Sequence, residues 1–304
     1  MNIGSTTFNN IKIGSTTINK VYIGSDKVYP DVSFVLDGLS GSTGGFSLRK
    51  LSSTYSGDAV EVRRSSDNTT QNIGFINNQL DTASLNTFCS GTDGFVSIWY
   101  NQSDASNNLI QTTASNQPKI HDSSTGVELE NGKPTITFNG TTSYLKMSNN
   151  TYGNIDDLLT TLAVVKTTSG GTQMITAKGY IGEAEHMFYF AQSGGQYRYV
   201  IENEIINVTT GSNVVNQQNL FSMYLSTGTN GVKQFNNGSL YYQHTTTQDL
   251  IGSLANFPYS VGYNVEKKNW FLQGNIQELI TFDNNLISDR TSIEDNINSF
   301  YSIY

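Results

Sequence analysis

Val232-Lys233-Gln234-Phe235-Asn236-Asn237-Gly238-Ser239-Leu240-Tyr241-Tyr242-Gln243 is the stretch that decides the fold class. Val232 to Phe235 and Leu240 to Gln243 read as strands. Asn236-Asn237-Gly238 between them is a hairpin signal, because Asn and Gly accept the positive φ that tight turns demand. Similar signals recur outward from this hairpin. Phe221-Ser222-Met223-Tyr224-Leu225 puts Phe, Met and Leu on one side, and Thr161-Leu162-Ala163-Val164-Val165 reads as a strand buried on both faces. Phe95-Val96-Ser97-Ile98-Trp99-Tyr100 starts with an apolar pair and then alternates. Thr135-Ile136-Thr137-Phe138 alternates into the turn pair Asn139-Gly140, and Asn275 to Phe282 is the last predicted strand. A helix is predicted only at the C-terminus, where Ile293, Ile297, Phe300 or Tyr301, and Tyr304 form one apolar stripe. Ser288 is its expected cap, with Asp289 and Glu294 near the positive end of the dipole. The fold class is all-β: a sandwich closed by a C-terminal helix.

Composition agrees with many short strands. Of 304 residues, 36% are hydrophobic and only 14% charged, so solubility rests on the abundant Asn, Ser, Thr and Gly. The 17 Tyr can fill a core or line a sugar-contacting surface. A net charge of −8 argues against a nucleic-acid partner, whose phosphates need a basic face. No apolar run is long enough for a membrane-spanning helix, and no membrane partner is expected. Met-Asn-Ile-Gly-Ser at the start has neither the basic nor the apolar region of a signal peptide. The Asn-x-Ser/Thr triplets at Asn68, Asn139, Asn207 and Asn237 are therefore read as accidents of composition, and Cys89, being alone, forms no internal disulfide.

The first thirty residues repeat with a period of ten: Ile3-Gly4-Ser5, Ile13-Gly14-Ser15 and Ile23-Gly24-Ser25 recur in register. Each unit reads as a short strand followed by a Gly-Ser turn. Three such units cannot bury enough apolar area to fold alone. Residues 1–30 are thus expected to dock on another polypeptide, or on copies of themselves in a trimer, through Ile3, Gly4, Ile13, Gly14, Ile23 and Gly24; the bland alternative is a flexible tail. Pro30 marks the boundary, and residues 31–304 form one domain.

The densest ionisable cluster is Glu183, Glu185 and His186 beside Tyr180, followed by Phe188-Tyr189-Phe190. It is the candidate glycan-binding site, as polar groups next to an aromatic platform, and it could also supply a carboxylate pair for sugar hydrolysis. The bland alternative is a solvated loop leading into a core strand. Glu202 and Glu204 alternate with Ile201 and Ile205 as the exposed face of a strand would. Glu278 falls on the apolar face defined by Ile276, Ile280 and Phe282, where an unpaired charge is costly. Either it finds a partner such as Arg63, Arg64 or Lys146, the favoured reading, or it faces a site; of Arg63-Arg64 one is read as a buried clamp and the other as solvated. His121, His186 and His244 are scattered, and the acidic loop residues Asp58, Asp93 and Asp104 match no calcium-loop spacing, so no metal is expected. Gly38, Gly41, Gly44 and Gly45 lack the lysine and helix of a phosphate loop, and no cofactor is expected.

Two groups of residues carry a family resemblance. Phe46-Ser47-Leu48-Arg49-Lys50, Tyr55-Ser56-Gly57, Val60 to Asp67, Ile73-Gly74, Phe88-Cys89 and Trp99-Tyr100-Asn101-Gln102-Ser103 resemble the beginning of the catalytic domain of α-L-arabinofuranosidase B enzymes. Glu130 to Pro134, Phe138-Asn139-Gly140, Tyr144-Leu145 and Gly274 to Leu279 resemble the concanavalin-like, laminin-G-like jelly roll. The resemblance implies that residues 31–304 form one lectin-like jelly-roll domain, a β-sandwich of that kind. The same family pattern has a vicinal cysteine pair that contacts sugar, whereas Gly171-Thr172-Gln173-Met174-Ile175 has none. Its Tyr-Asp-Gln-Ser is here Tyr100-Asn101-Gln102-Ser103, without the carboxylate, and the family's nucleophile and acid fall on no recognisable residue.

The N-terminal repeat also resembles leader segments of phage structural proteins. With those departures, the sequence reading is a non-enzymatic bacteriophage virion surface protein: a head fibre, capsid decoration or tail-associated adhesin. It would be made in the host cytoplasm, docked on other virion proteins through residues 1–30, trimeric or otherwise homo-oligomeric, and able to touch host surface glycans. The alternatives are a glycoside hydrolase of arabinofuranosidase type and a bacterial carbohydrate-binding module.

Overall fold

The structure is a computed structural model. It describes residues 34–104, 106–147, 158–179, 187–201, 204–207, 214–226, 228–229, 231–243, 247–248, 258–264 and 269–304. Within residues 1–30 it describes the backbone of six short strands, and it likewise gives the backbone alone for 158, 179, 187–192, 196–201, 204–207, 228–229 and 247–248.

Leu158–Thr167, the apolar run, organises the molecule. It pairs antiparallel with Gln218–Ser226 on one side and Gln273–Phe282 on the other. Gln273–Phe282 pairs in turn with Ser42–Ser47, and Gln218–Ser226 with Val232–Asn236 and then Ser239–Gln243. The two-residue loop of that last hairpin is Asn237-Gly238, with φ of 49° and 75°, as the sequence predicts.

Both faces of this sheet are covered, which explains the near-continuous apolar runs. Leu159, Ala163, Val165, Phe221, Met223 and Leu225 enter the inter-sheet core. Leu162, Val164, Leu220, Tyr224, Ile280 and Phe282 pack beneath the helix Arg290–Tyr301. Ile293, Ile297 and Tyr301 are the helix's buried residues at this contact, at the spacing of four expected of one face. Two details differ from expectation. Asp289, not Ser288, occupies the N-cap; its backbone is already in the helical region and it makes no side-chain capping bond, while its carboxylate accepts from the Ser288 hydroxyl. Tyr304 lies beyond the helix end and is half exposed. A second helix, Thr82–Phe88, was not expected; Asp81 caps it by accepting from Ser84 N at 3.0 Å, and Leu85 and Phe88 anchor it in the core.

The far sheet runs Thr70–Ile73, Val60–Arg64, Gly94–Trp99, then through Leu109–Ile110, Leu145–Met147 and Ser260–Val261 to Gln173–Gly179. From there it continues as a meander: Met187–Ser193, Gln196–Ile201 and Glu204–Asn207. Ile136–Asn139 ties the two sheets together by pairing with both Gln273–Phe282 and Lys119–Asp122. Gly274 sits at this crowded junction with φ of 151°, where a Cβ would stand 2.0 Å from the Lys166 carbonyl oxygen. No other residue fits there.

The decapeptide repeats form three separate hairpins: Asn2–Ile3 with Thr6–Thr7, Lys12–Ile13 with Thr16–Thr17, and Val21–Ile23 with Asp26–Tyr29. Ile3, Ile13 and Ile23 lie in their strands, as expected of strand-and-turn units. Gly4, Gly14 and Gly24 lie outside the described residues.

Candidate functional site

The meander gathers acidic residues by topology alone. Register pairs Gly179 with Met187, Phe188 with Ile201, and Ile201 with Glu204. In an antiparallel meander these pairs all lie at one end of the sheet. The chain between Gly179 and Met187 carries Tyr180, Glu183, Glu185 and His186, and the chain between Ile201 and Glu204 carries Glu202. These five lie outside the described residues; what is described is the set of strand ends that brackets them. At the same end, Lys178 is 1% exposed, and burial pushes its ammonium down to about 8. Ser260 fixes the adjoining strand by donating from its hydroxyl to Ala177 O at 3.1 Å and Tyr263 O at 2.7 Å. The aromatic platform inferred from Phe188-Tyr189-Phe190 involves side chains outside those described.

Two carboxylates are deeply buried among the described residues, and both are held by arginine. Glu278 takes Arg49 Nε at 2.7 Å and Nη2 at 2.9 Å, the Ser47 hydroxyl at 2.8 Å and the Tyr301 hydroxyl at 3.2 Å. Burial by itself would lower the Arg49 pKa, but the charge and hydrogen bonds of Glu278 outweigh it and hold the guanidinium above its usual value. Burial, reinforced by Glu278, likewise pushes the Tyr301 hydroxyl well up. Glu294 accepts from Arg290 at 2.5 Å and from the Ser222 hydroxyl. With their lone pairs taken by these donors, both are structural pairs: Glu278 faces the C-terminal helix from the sheet, and Glu294 faces the sheet from the helix.

The expected partners of Glu278 are therefore corrected. A register slip between Val164 and Val165 sends Ile276 to the inter-sheet core but leaves Glu278 on the helix face with Ile280 and Phe282. There the neighbouring strand, which pairs Ser47 with Glu278, delivers Arg49. Lys146 is exposed. Arg63 reaches Gln117 at 2.7 Å over the Phe95 ring, and Arg64 pairs with Asp67 at 2.6 Å. Neither is a buried clamp.

Tyr100-Asn101-Gln102-Ser103 also has a different meaning from the one its sequence suggests. Asn101 is fully buried; its Oδ1 accepts from Gly45 N at 2.8 Å and Ser103 N at 2.9 Å, and its Nδ2 donates to Thr43 O and Asn107 O. Gln102 similarly accepts from Leu51 N and donates to Ser47 O and Arg49 O. These side chains splice the Ser42–Ser47 strand to the far sheet. An amide in place of a carboxylate at Asn101 therefore carries no information about catalysis. Asn101→Ala should cost about 2–3 kcal/mol, since it leaves buried amides and carbonyls unpaired. Denaturant unfolding would measure it, and a loss under about 0.5 kcal/mol would show that these bonds are not a splice.

Of the acidic loop residues, Asp93 is held by Lys119 and by Ser123 N, and Asp104 by Ser106 N and Asn107. Among the described residues no three His, Cys, Asp or Glu side chains converge as a metal site. Cys89 is free and buried, and desolvation pushes its thiol up to about 11.

The family model for the catalytic domain of alpha-L-arabinofuranosidase B matches residues 42–195, just over half of the chain. The chain belongs to this family. A solved GH54 α-L-arabinofuranosidase, a mutant soaked with 4-nitrophenyl α-L-arabinofuranoside, is similar in fold, with a TM-score of 0.63 and 16% identity, covering 84% of this chain and 62% of that one. A solved arabinofuranosidase in complex with arabinofuranosyl-alpha-1,2-xylobiose gives a TM-score of 0.61 and 17% identity, with coverage of 84% and 62%. The chain thus spans less than two thirds of the length of these structures. No curated protein matches it in sequence.

These findings overturn the reading of a non-enzymatic phage structural protein. The family and its fold neighbours are glycoside hydrolases with this β-sandwich, and nothing shows a phage origin. Of the departures that favoured the non-enzymatic reading, the missing carboxylate at Asn101 falls on a residue with a structural task.

Proposed function

We propose that this arabinofuranosidase B family member is a glycoside hydrolase acting on α-L-arabinofuranosides, with its active centre at the end of the meander bracketed by Gly179, Met187, Ile201 and Glu204. The family match over residues 42–195 carries this reading. The register that brings two acid-bearing connections to one end of the sheet supports the location. Glycoside hydrolysis needs two carboxyl groups across the scissile bond, about 5–5.5 Å apart for retention and about 6.5–9.5 Å for inversion. One protonates the departing oxygen, and the other attacks the anomeric carbon or activates water. Glu183, Glu185, Glu202 and Glu204 are the candidates, with Tyr180 and His186 as sugar contacts. Lys178, with a pKa of about 8, stays cationic at acidic to neutral pH and would favour an ionised carboxylate at this end.

The test is release of nitrophenol from 4-nitrophenyl α-L-arabinofuranoside by the wild type and by single Glu→Gln variants at the four positions. Two of the four should lose about 10²–10⁴-fold in kcat. A wild type inert toward arabinofuranosides would overturn the activity. Four active variants would move the centre away from the meander.

A further inference from the structure

At the opposite edge of the far sheet, two clefts flank the turn formed by residues 54–58. One, of about 480 Å³, is lined by Tyr55, Asp58, Asn72, Tyr100 and Asn108. The other, of about 590 Å³, lies across the same turn and is lined by Lys50, Tyr55, Phe75 and Asn78 among others. Tyr55 is the wall between them. Its hydroxyl donates to Asp58 O at 2.8 Å, and its ring meets the Phe75 edge at 6.3 Å and 79°. Tyr100 is pinned by donating to Asn72 Oδ1 at 2.9 Å. Both tyrosines are half-buried and fixed by their hydroxyls. Burial, with Asp58 and Tyr100 adding, pushes the Tyr55 phenol up to about 12.

The Asp58 carboxylate lies close enough to act on both phenols, yet its oxygens accept no hydrogen bond from the described residues. Asn108 accepts from Asn101 N, which locks that wall onto the buried splice. The combination is rigid aromatic faces, an unengaged carboxylate and amide groups at the same opening. An acidic wall containing Asp58, with Glu61 nearby, repels phosphate and other anions. A neutral sugar matches it: C–H faces pack on aromatic rings, while paired hydroxyls donate to a carboxylate.

We propose that these two clefts form one non-catalytic subsite for a neutral oligosaccharide, which lies along the Tyr55 wall. This surface is separated from the meander by the width of the far sheet and does not depend on the location of the active centre. It would hold a polysaccharide chain on the enzyme without contacting the bond that is cut.

The experiment is affinity electrophoresis through gels containing soluble arabinan, arabinoxylan or galactan, with the nitrophenyl arabinofuranoside assay run in parallel. The wild type should be retarded by at least one polymer. Tyr55→Ala and Asp58→Ala should each weaken retardation about tenfold, equivalent to about 1.4 kcal/mol, with nitrophenol release unchanged. Asp58→Asn, which alters only a carboxylate in a surface cleft, serves if Tyr55→Ala fails to fold, and it should weaken binding in the same direction. Absence of retardation by all three polymers, or retention of full retardation by the variants, overturns the subsite. Because retardation is read without turnover, an inactive enzyme that is still retarded would defeat the proposed activity and leave the subsite standing.

Discussion

Arg49→Ala is expected to lower the unfolding free energy by about 3–5 kcal/mol, because it strands the Glu278 carboxylate in the interior. That carboxylate is 1% exposed, and among the described residues its other donors are the Ser47 and Tyr301 hydroxyls. Arg49 also donates to Asn296 at 2.9 Å and lies over the Phe300 ring at 5.0 Å, so its loss loosens the seat of the C-terminal helix. Urea unfolding should show a lower midpoint. The informative companion is the double variant Arg49→Met with Glu278→Leu. Removing both charges and keeping the volume should restore most of the stability, since the cost lies in the uncompensated ion rather than in the pair. A double variant as unstable as the single would mean that the pair's geometry, and not its charge balance, holds the helix.

Trp99→Ala is the second large effect, again about 3–5 kcal/mol. Trp99 is fully buried in the inter-sheet core, with its ring 5.9 Å from Phe46 at 61°. The neighbouring strands are pinned by the Asn101 and Gln102 hydrogen bonds and cannot collapse into the space, so a cavity remains. Trp99→Phe should cost markedly less, because the indole Nε1 has no hydrogen-bond partner among the described residues and goes with the ring. A loss under about 1.5 kcal/mol for Trp99→Ala would show that the two sheets close over the gap.

What was legible in the sequence is local. The Asn237-Gly238 turn, the apolar run in Leu158–Thr167 and the stripe Ile293, Ile297, Tyr301 were all readable, since each is decided within a few residues. The partner of Glu278 was not. It lies 229 positions away, and a register slip of one residue chose the face. Nothing near Arg49 distinguishes it from Arg63 or Arg64. Asn101 misled for a related reason: one residue type serves a reacting group or a buried splice, and only the strands around it tell which. The helix Thr82–Phe88 hid because two buried residues three apart are too few to show a period. For the candidate site, the cluster at Glu183, Glu185 and His186 was noted from density alone. That the strand ends on either side of it meet those on either side of Glu202 follows from antiparallel pairing, which the linear order conceals.

The placement of Gln273–Phe282 between Ser42–Ser47 and Leu158–Thr167 has a consequence for biosynthesis. The segment that both neighbours need is synthesised after either of them. Until it arrives, two strand edges stay bare with their amides unmet, so the sandwich cannot form cotranslationally from its N-terminal half. Pairings of such long loops are slow, and the waiting intermediate is prone to stick to its own kind. Yield in a fast expression host is therefore expected to depend on temperature and chaperone supply more than the finished fold would suggest.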